Sequence, residues 1–84
     1  MGDIRVRVKV FASIRDVLGK GEFVLLLPEG SSVESLIKYL KAKYPQIADI
    51  LDCSFIALNE EYALREASLR GGDTLAIIPP VSGG

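Results

Sequence analysis

The sequence contains no histidine and no tryptophan, and it has a single cysteine among its 84 residues. Without histidine, the chain lacks the side chain most often used for acid–base catalysis near neutral pH and for binding metals. The single cysteine, Cys53, excludes an internal disulfide and a CxxC metal site. We interpret Cys53 as a small buried apolar residue and not as a persulfide carrier, which fits a reducing, intracellular location.

An excess of charge of one sign is also missing, since ten basic residues face eleven acidic ones for a net charge of −1. Such a balance excludes the basic footprint of a nucleic-acid-binding protein. No apolar run approaches the ~20 residues of a membrane span, and the N-terminal residues lack the apolar core of a signal peptide. We therefore expect a cytoplasmic protein, with 49% hydrophobic and 25% charged residues forming one small globular domain.

Alternating apolar and charged residues predict that the first segment, residues 4–10, is a strand with one face in the core and one in water. Phe11 and Ile78 fall on the solvent side of their strands although both are large and apolar, so they predict an exposed patch if those strands are neighbours. Glycine, proline and polar turn residues separate the further predicted strands, which are residues 22–27, 55–58, 62–64 and 74–78.

The strongest local pattern predicts an amphipathic helix at about residues 32–44. Ser31 with Glu34 fits a capping box, and Ser32 is the competing N-cap. Apolar residues then recur at helical spacing until Pro45 ends the helix. With short helical turns at 12–18 and 47–51, the order of elements predicts an α+β fold, a β-grasp if the first and last strands are adjacent and parallel.

The C-terminal segment is the unusual feature of the sequence. We predict a domain of residues 1–78 followed by an extended tail of residues 79–84, which would reach about 20 Å. Its prolines favour an extended backbone, and its glycines allow passage through a narrow tunnel because they lack side chains. A frayed terminus is the alternative. In order, the tail residues are Pro79, Pro80, Val81, Ser82, Gly83 and Gly84.

Nearly the whole chain resembles the molybdopterin synthase small subunits, the MoaD-like sulfur carriers of the ubiquitin-like superfamily. The Pro-Pro-Val-Ser-Gly-Gly ending is the most specific part, since Gly-Gly alone would also fit thiamine-pathway carriers and ubiquitin-like modifiers. A charged loop at 65–68 departs from the expected pattern and bears on the choice of partner. The other matching segments are residues 11–15 with Gly19, residues 27–33, residues 57–59, and Gly72-Asp73.

This resemblance implies a β-grasp sulfur carrier in molybdenum cofactor biosynthesis, a non-catalytic subunit that binds no cofactor or metal. A ubiquitin-activating-like adenylyltransferase would use ATP to adenylate the Gly84 carboxylate, and a sulfur donor would convert it to a thiocarboxylate. The large molybdopterin synthase subunit would then pass the sulfur to cyclic pyranopterin monophosphate. The resemblance also implies that Phe11, Tyr62 and Ile78 face the partners.

Three other functions remain open on the sequence. The chain would fit a sulfur carrier for thiamine thiazole or tRNA thiolation. It would also fit a protein modifier that forms an isopeptide bond through Gly84, or a binding module with an inert tail. All of these share one fold, and a fold does not decide a function.

Overall fold

Five strands and three α-helices make up residues 2–80, the part of the chain that the computed structural model describes. A 3₁₀ turn, Pro45–Ile47, joins the second helix to the third. The strands are β1 (Asp3–Val10), β2 (Glu22–Pro28), β3 (Phe55–Leu58), β4 (Glu61–Tyr62) and β5 (Thr74–Ile78). The helices are α1 (Ala12–Leu18), α2 (Val33–Lys43) and α3 (Ala48–Asp52).

The strands form one mixed sheet in the order β2-β1-β5-β3-β4. The first and last strands are neighbours and run parallel, with Val8 opposite Leu75 and Val10 opposite Ile77. The other three strand pairs are antiparallel. The predicted β-grasp arrangement is therefore confirmed.

A single apolar core lies between one face of the sheet and the helices, and its members follow the predicted periodicities. Every second residue of β1, from Val6 to Val10, is buried, and the apolar stripe of α2 is fully buried as well. Burying a Val, Leu or Ile side chain is worth about 1.5–3 kcal/mol relative to exposure. The fully buried members are Val6, Val8, Val10, Ile14, Val33, Leu36, Ile37, Leu40, Ile47, Leu51, Leu75 and Ile77.

The capping box of α2 is one residue away from the position we preferred. Ser32 is the N-cap, and it exchanges hydrogen bonds with Ser35, whose backbone amide lies 3.2 Å from the Ser32 hydroxyl. The hydroxyl of Ser31 instead donates to the carbonyl of Pro28 at 2.6 Å. The carboxylate of Glu34 pairs with Arg65 at 3.7 Å. The prediction with Ser31 and Glu34 was wrong because both side chains have other partners.

The predicted return strand at 62–64 is shifted and shortened to Glu61–Tyr62. The amide of Ala63 still donates to the carbonyl of Ile56 at 3.0 Å, but Leu64 begins a turn in which its carbonyl accepts from Ala67 at 3.1 Å. The turn takes the chain away from β3, so pairing ends there.

Candidate docking surface and tail

The three residues expected to face partners come together on the open face of the sheet. Phe11, Tyr62 and Ile78 line one shallow depression, and their side chains are 43%, 81% and 37% exposed. Val10 is aligned with Ile77, so Phe11 and Ile78 follow at adjacent positions. Two small residues, Ala57 and Ala76, lie opposite each other between the larger ones.

Phe11 is held at the junction between β1 and α1. Its backbone is extended, with φ −135°, and its carbonyl accepts hydrogen bonds from the amides of Ile14 at 3.2 Å and Arg15 at 3.4 Å. Ala12 then turns the chain with φ 51°, in the left-handed region that non-glycine residues rarely adopt. This junction ends the strand with Phe11 still on the solvent side.

Tyr62 is positioned by the two-residue turn that joins β3 to β4. Both turn residues, Asn59 and Glu60, have positive φ values of 52° and 72°, as in the type I′ turns of two-residue hairpins. The Asn59 side chain accepts from the amide of Thr74 and donates to the carboxylate of Asp73, both at 3.0 Å. Two of the segments that carried the family resemblance, residues 57–59 and Gly72-Asp73, are thus joined by hydrogen bonds next to Tyr62.

Replacing Glu60 with glycine is expected to stabilise the domain by about 0.5–1 kcal/mol. A left-handed conformation costs an L-residue about 1–2 kcal/mol, and glycine avoids this cost. Glycine also gives the unfolded chain more conformational entropy, which lowers the stability gain by about 0.4–1 kcal/mol. Urea denaturation measures the difference. The matched control is Glu61→Gly, one residue on in β4, where glycine is expected to destabilise. Equal losses in both variants would contradict the assigned turn strain.

Sequence reasoning missed two exposed apolar residues beside this depression, Phe55 and Leu64, which are 59% and 74% exposed. Phe55 lies opposite Ile78 in the sheet, and its ring meets that of Tyr62 edge-on with centroids 6.1 Å apart. Strand parity places Phe55 on the same face as Ala57, but a strand of four residues is too short for parity alone to show which face that is. We use the name docking surface for Phe11, Phe55, Tyr62 and Ile78.

The tail leaves the domain directly from the docking surface, since Ile78 is the last residue of β5. Pro79 is buried and Pro80 is exposed. Residues 81–84, which include Gly83 and Gly84, lie outside the described residues, so the extended tail stays a prediction.

The charged loop at 65–68 is partly explained by contacts within the chain. Arg65 pairs with Glu34, and its Nη2 donates to the carbonyl of Leu51 at 3.3 Å. The departure from the expected pattern therefore ties the loop to α2 and α3.

Cys53 is exposed, so the expectation that it is buried was wrong. It follows the last residue of α3, and its amide donates to the carbonyl of Ile50 at 3.1 Å, closing the helix with its side chain outward. The position of Cys53 at the end of α3 places its side chain in solvent, although a thiol is apolar enough to be buried.

Cys53→Ala is expected to change the free energy of unfolding by less than about 0.5 kcal/mol, as for most exposed positions, and to leave sulfur transfer intact. Chemical denaturation and a product assay with the large synthase subunit measure the two quantities. A folded variant that has lost transfer would instead support a persulfide on this thiol.

Within residues 2–80, no three His, Cys, Asp or Glu side chains are grouped closely enough to hold a metal ion. No helix in the same range is long and apolar enough to cross a membrane.

Comparison with known proteins agrees with this architecture. The chain matches the ThiS family over residues 8–84 and belongs to that family. It is 37% identical to the molybdopterin synthase sulfur carrier subunit of Arabidopsis thaliana, over 96% of this chain and 84% of that protein. It is 41% identical to the Dictyostelium discoideum subunit, over 93% of this chain and 94% of that protein. Within the family, the chain belongs with the molybdopterin synthase sulfur carrier subunits.

Solved structures show the same fold. A putative molybdopterin converting factor subunit 1 from Pyrococcus furiosus superposes with a TM-score of 0.84 at 31% identity, over 93% of this chain and 99% of that one. A chain of the Helicobacter pylori complex of molybdopterin-converting factor subunits 1 and 2 superposes with a TM-score of 0.70 at 26% identity, over 96% of this chain and 100% of that one. The small archaeal modifier protein 1 from Methanosarcina acetivorans superposes with a TM-score of 0.83 at 26% identity, over the full length of both chains. A ubiquitin from Caldiarchaeum subterraneum superposes with a TM-score of 0.66 at 13% identity, over 99% of this chain and 100% of that one. This likeness confirms the ubiquitin-like fold.

Proposed function

We propose that this chain carries sulfur into molybdopterin as a thiocarboxylate on Gly84, delivered while the docking surface holds the large synthase subunit. The observation that carries the proposal is the continuity of the two parts. Strand β5 supplies Ile78 to the docking surface, and the next residue, Pro79, begins the segment that ends in Gly83-Gly84. A partner that covers this surface therefore receives the tail at a fixed starting point.

The chemistry begins with a carboxylate that is a poor acyl donor. A terminal carboxyl group has a pKa near 3.5, so it is ionised at pH 7, and a nucleophile would add charge beside existing charge. Adenylation by an activating partner that consumes ATP removes this barrier, because pyrophosphate is released and AMP becomes the leaving group. A sulfur donor then displaces AMP from the Gly84 carbonyl and leaves the thiocarboxylate.

Delivery occurs in the large subunit, where the thiocarboxylate sulfur is transferred to cyclic pyranopterin monophosphate and hydrolysis returns the Gly84 carboxylate. Two such deliveries supply the two sulfurs of the dithiolene. The chain has no histidine, and the proposal assigns the catalytic groups to the partners. The Helicobacter pylori complex of subunits 1 and 2 supports pairing with a large subunit.

The native protein is expected to contain a fraction heavier by about 16 Da, which is one oxygen replaced by sulfur. Intact-mass measurement of protein purified from its own host tests this, with fragmentation placing the added mass on Gly84. A host strain without the activating enzyme is the control and should yield only the unmodified mass. Added mass on Cys53 instead of Gly84 would contradict the proposal.

A modifier function is the second candidate, favoured by the likeness to the small archaeal modifier protein 1. The same acyl adenylate would then pass Gly84 to a lysine amine and form an isopeptide bond. High-mass species that carry this chain on lysine side chains would support it.

We also propose the cytoplasm as the site of action, because a reducing compartment keeps the exposed Cys53 thiol free.

A further inference from the structure

Strand β2 forms one edge of the sheet, so within residues 2–80 one side of its backbone has no neighbouring strand. Its other side pairs with β1 in an unbroken register, from Asp3 opposite Pro28 to Lys9 opposite Glu22. Each step along one strand is matched by one step along the other, so this pair contains no bulge. The outer edge of β2 is therefore regular over its whole length.

The phase of the ladder shows which backbone groups of β2 point outward. The amide of Val10 donates to the carbonyl of Gly21 at 2.9 Å, so these two residues form a hydrogen-bonded pair with β1. In an antiparallel ladder, hydrogen-bonded and non-hydrogen-bonded pairs alternate. Counting along β2 from Gly21, the amides and carbonyls of Val24 and Leu26 point away from β1, toward the open edge.

Glu22 and Pro28 stand at the two ends of β2, and nothing between them blocks this edge against pairing. Native proteins protect sheet edges with charges, prolines, bulges or very short strands, yet residues 23–27 are all apolar and contain no proline. The side chains of Val24 and Leu26 are 52% and 60% exposed. The opposite edge does have protection, because β4 is two residues long and one of them is Glu61.

We propose that two copies of this chain associate through their β2 strands, antiparallel about a two-fold axis, to form one continuous sheet. In the proposed register, Val24 lies opposite Leu26 of the partner subunit. This register pairs apolar side chains on the open face and satisfies the outward amides and carbonyls of Val24 and Leu26 in both strands. It also sets Glu22 opposite Pro28 of the partner subunit, which keeps the two Glu22 carboxylates apart.

Charge and geometry both permit this pairing. Arg5 and Arg7 lie one strand inward, opposite Leu26 and Val24. The arginines of the two copies are thus three strand spacings apart, roughly 14 Å, which exceeds the Debye length of about 8 Å at physiological salt. The docking surface is carried mainly by β5, β3 and β4, so a β2 dimer leaves it free. The contact is small, so we expect weak, concentration-dependent association.

Sedimentation equilibrium tests the pairing on the full chain. The average mass is expected to rise toward twice the monomer mass as concentration increases, and Leu26→Lys is expected to weaken association at least tenfold. Val17→Lys is the matched control, because Val17 is 45% exposed and lies on helix α1, outside the edge strand, and it should associate like the wild type. A single monomer mass up to about 1 mM, the weak limit of specific binding, would overturn the proposal. Equal weakening by both lysine variants would also overturn it.

Disulfide trapping tests the register in a Cys53→Ala background. Cα atoms of a hydrogen-bonded antiparallel pair are about 5.5 Å apart, within the range for a disulfide. Mixing Val24→Cys with Leu26→Cys is therefore expected to give the mixed disulfide. Disulfides between two Val24→Cys chains would overturn the stated register. A monomeric chain whose Leu26→Lys variant binds the large synthase subunit more weakly would assign the edge to that partner and overturn self-pairing.

Discussion

Deletion of Gly84 is expected to abolish sulfur transfer while leaving the folded domain as stable as before. Among residues 2–80, the buried core is built from residues between Val6 and Ile77, and we expect it to stay intact when Gly84 is deleted. The deletion leaves Gly83 with the terminal carboxylate and shortens the reach of the chain by about 3.3–3.6 Å, so the group to be activated no longer reaches the position that Gly84 takes in the partners. A misplacement of about 1 Å already costs a reaction roughly 100-fold.

Product formation with purified large subunit and activating enzyme measures the effect, and thermal unfolding measures stability. Ser82→Ala is the matched control, because it changes the tail while keeping its length and its terminal carboxylate. The control should retain activity within a few-fold. A chain without Gly84 that still supports product formation would show that the tail mechanism is wrong.

Truncation of single docking-surface residues is expected to weaken binding to the large subunit by about 1–3 kcal/mol, or roughly 5- to 150-fold. Interfaces concentrate their energy in a few apolar or aromatic anchors, and Phe11, Phe55, Tyr62 and Ile78 form the contiguous aromatic and aliphatic group beside the tail. Phe11→Ala and Ile78→Ala test the residues that strand parity predicted. Phe55→Ala tests the residue that the structure added.

Isothermal titration with the large subunit measures these affinities, and circular dichroism confirms that each variant is folded. Val17→Ala is the control, since the exposure of Val17, 45%, matches that of Phe11, 43%. Unchanged affinity in the Phe11 and Ile78 variants would show that the surface plays no part in binding. An equal loss in Val17→Ala would assign the effect to general surface change.

The parts of the fold that the sequence predicts are those in which periodicity and burial coincide. The alternation in β1 places Val6, Val8 and Val10 in the core, and the same parity places Phe11 outside. The capped, amphipathic pattern of α2 likewise predicts its buried face. These patterns are strong because one residue of slip would expose a whole apolar face.

The errors arise where periodicity does not decide the outcome, and the cause differs from residue to residue. Glu34 is not part of a capping box because Arg65, far along the chain, pairs with it. Phe55 lies in a strand of four residues, too short for parity alone to assign its faces. Cys53 is outward because it closes α3, which its side chain does not reveal. The role of Gly84 depends on partners that no pattern within the chain describes.

The central parallel pair has a consequence for how the protein is made. Residues 7–10 of β1 meet residues 74–77 of β5, so the middle of the sheet closes only when almost the whole chain is available. Such non-local pairing slows folding, and a nascent chain that stops before Thr74 holds β1 and β3 as open, apolar edges. Chains interrupted there are expected to be recognised as misfolded and removed. The order of synthesis therefore ties closure of the sheet to the synthesis of β5, the strand directly before the segment that leads to Gly84.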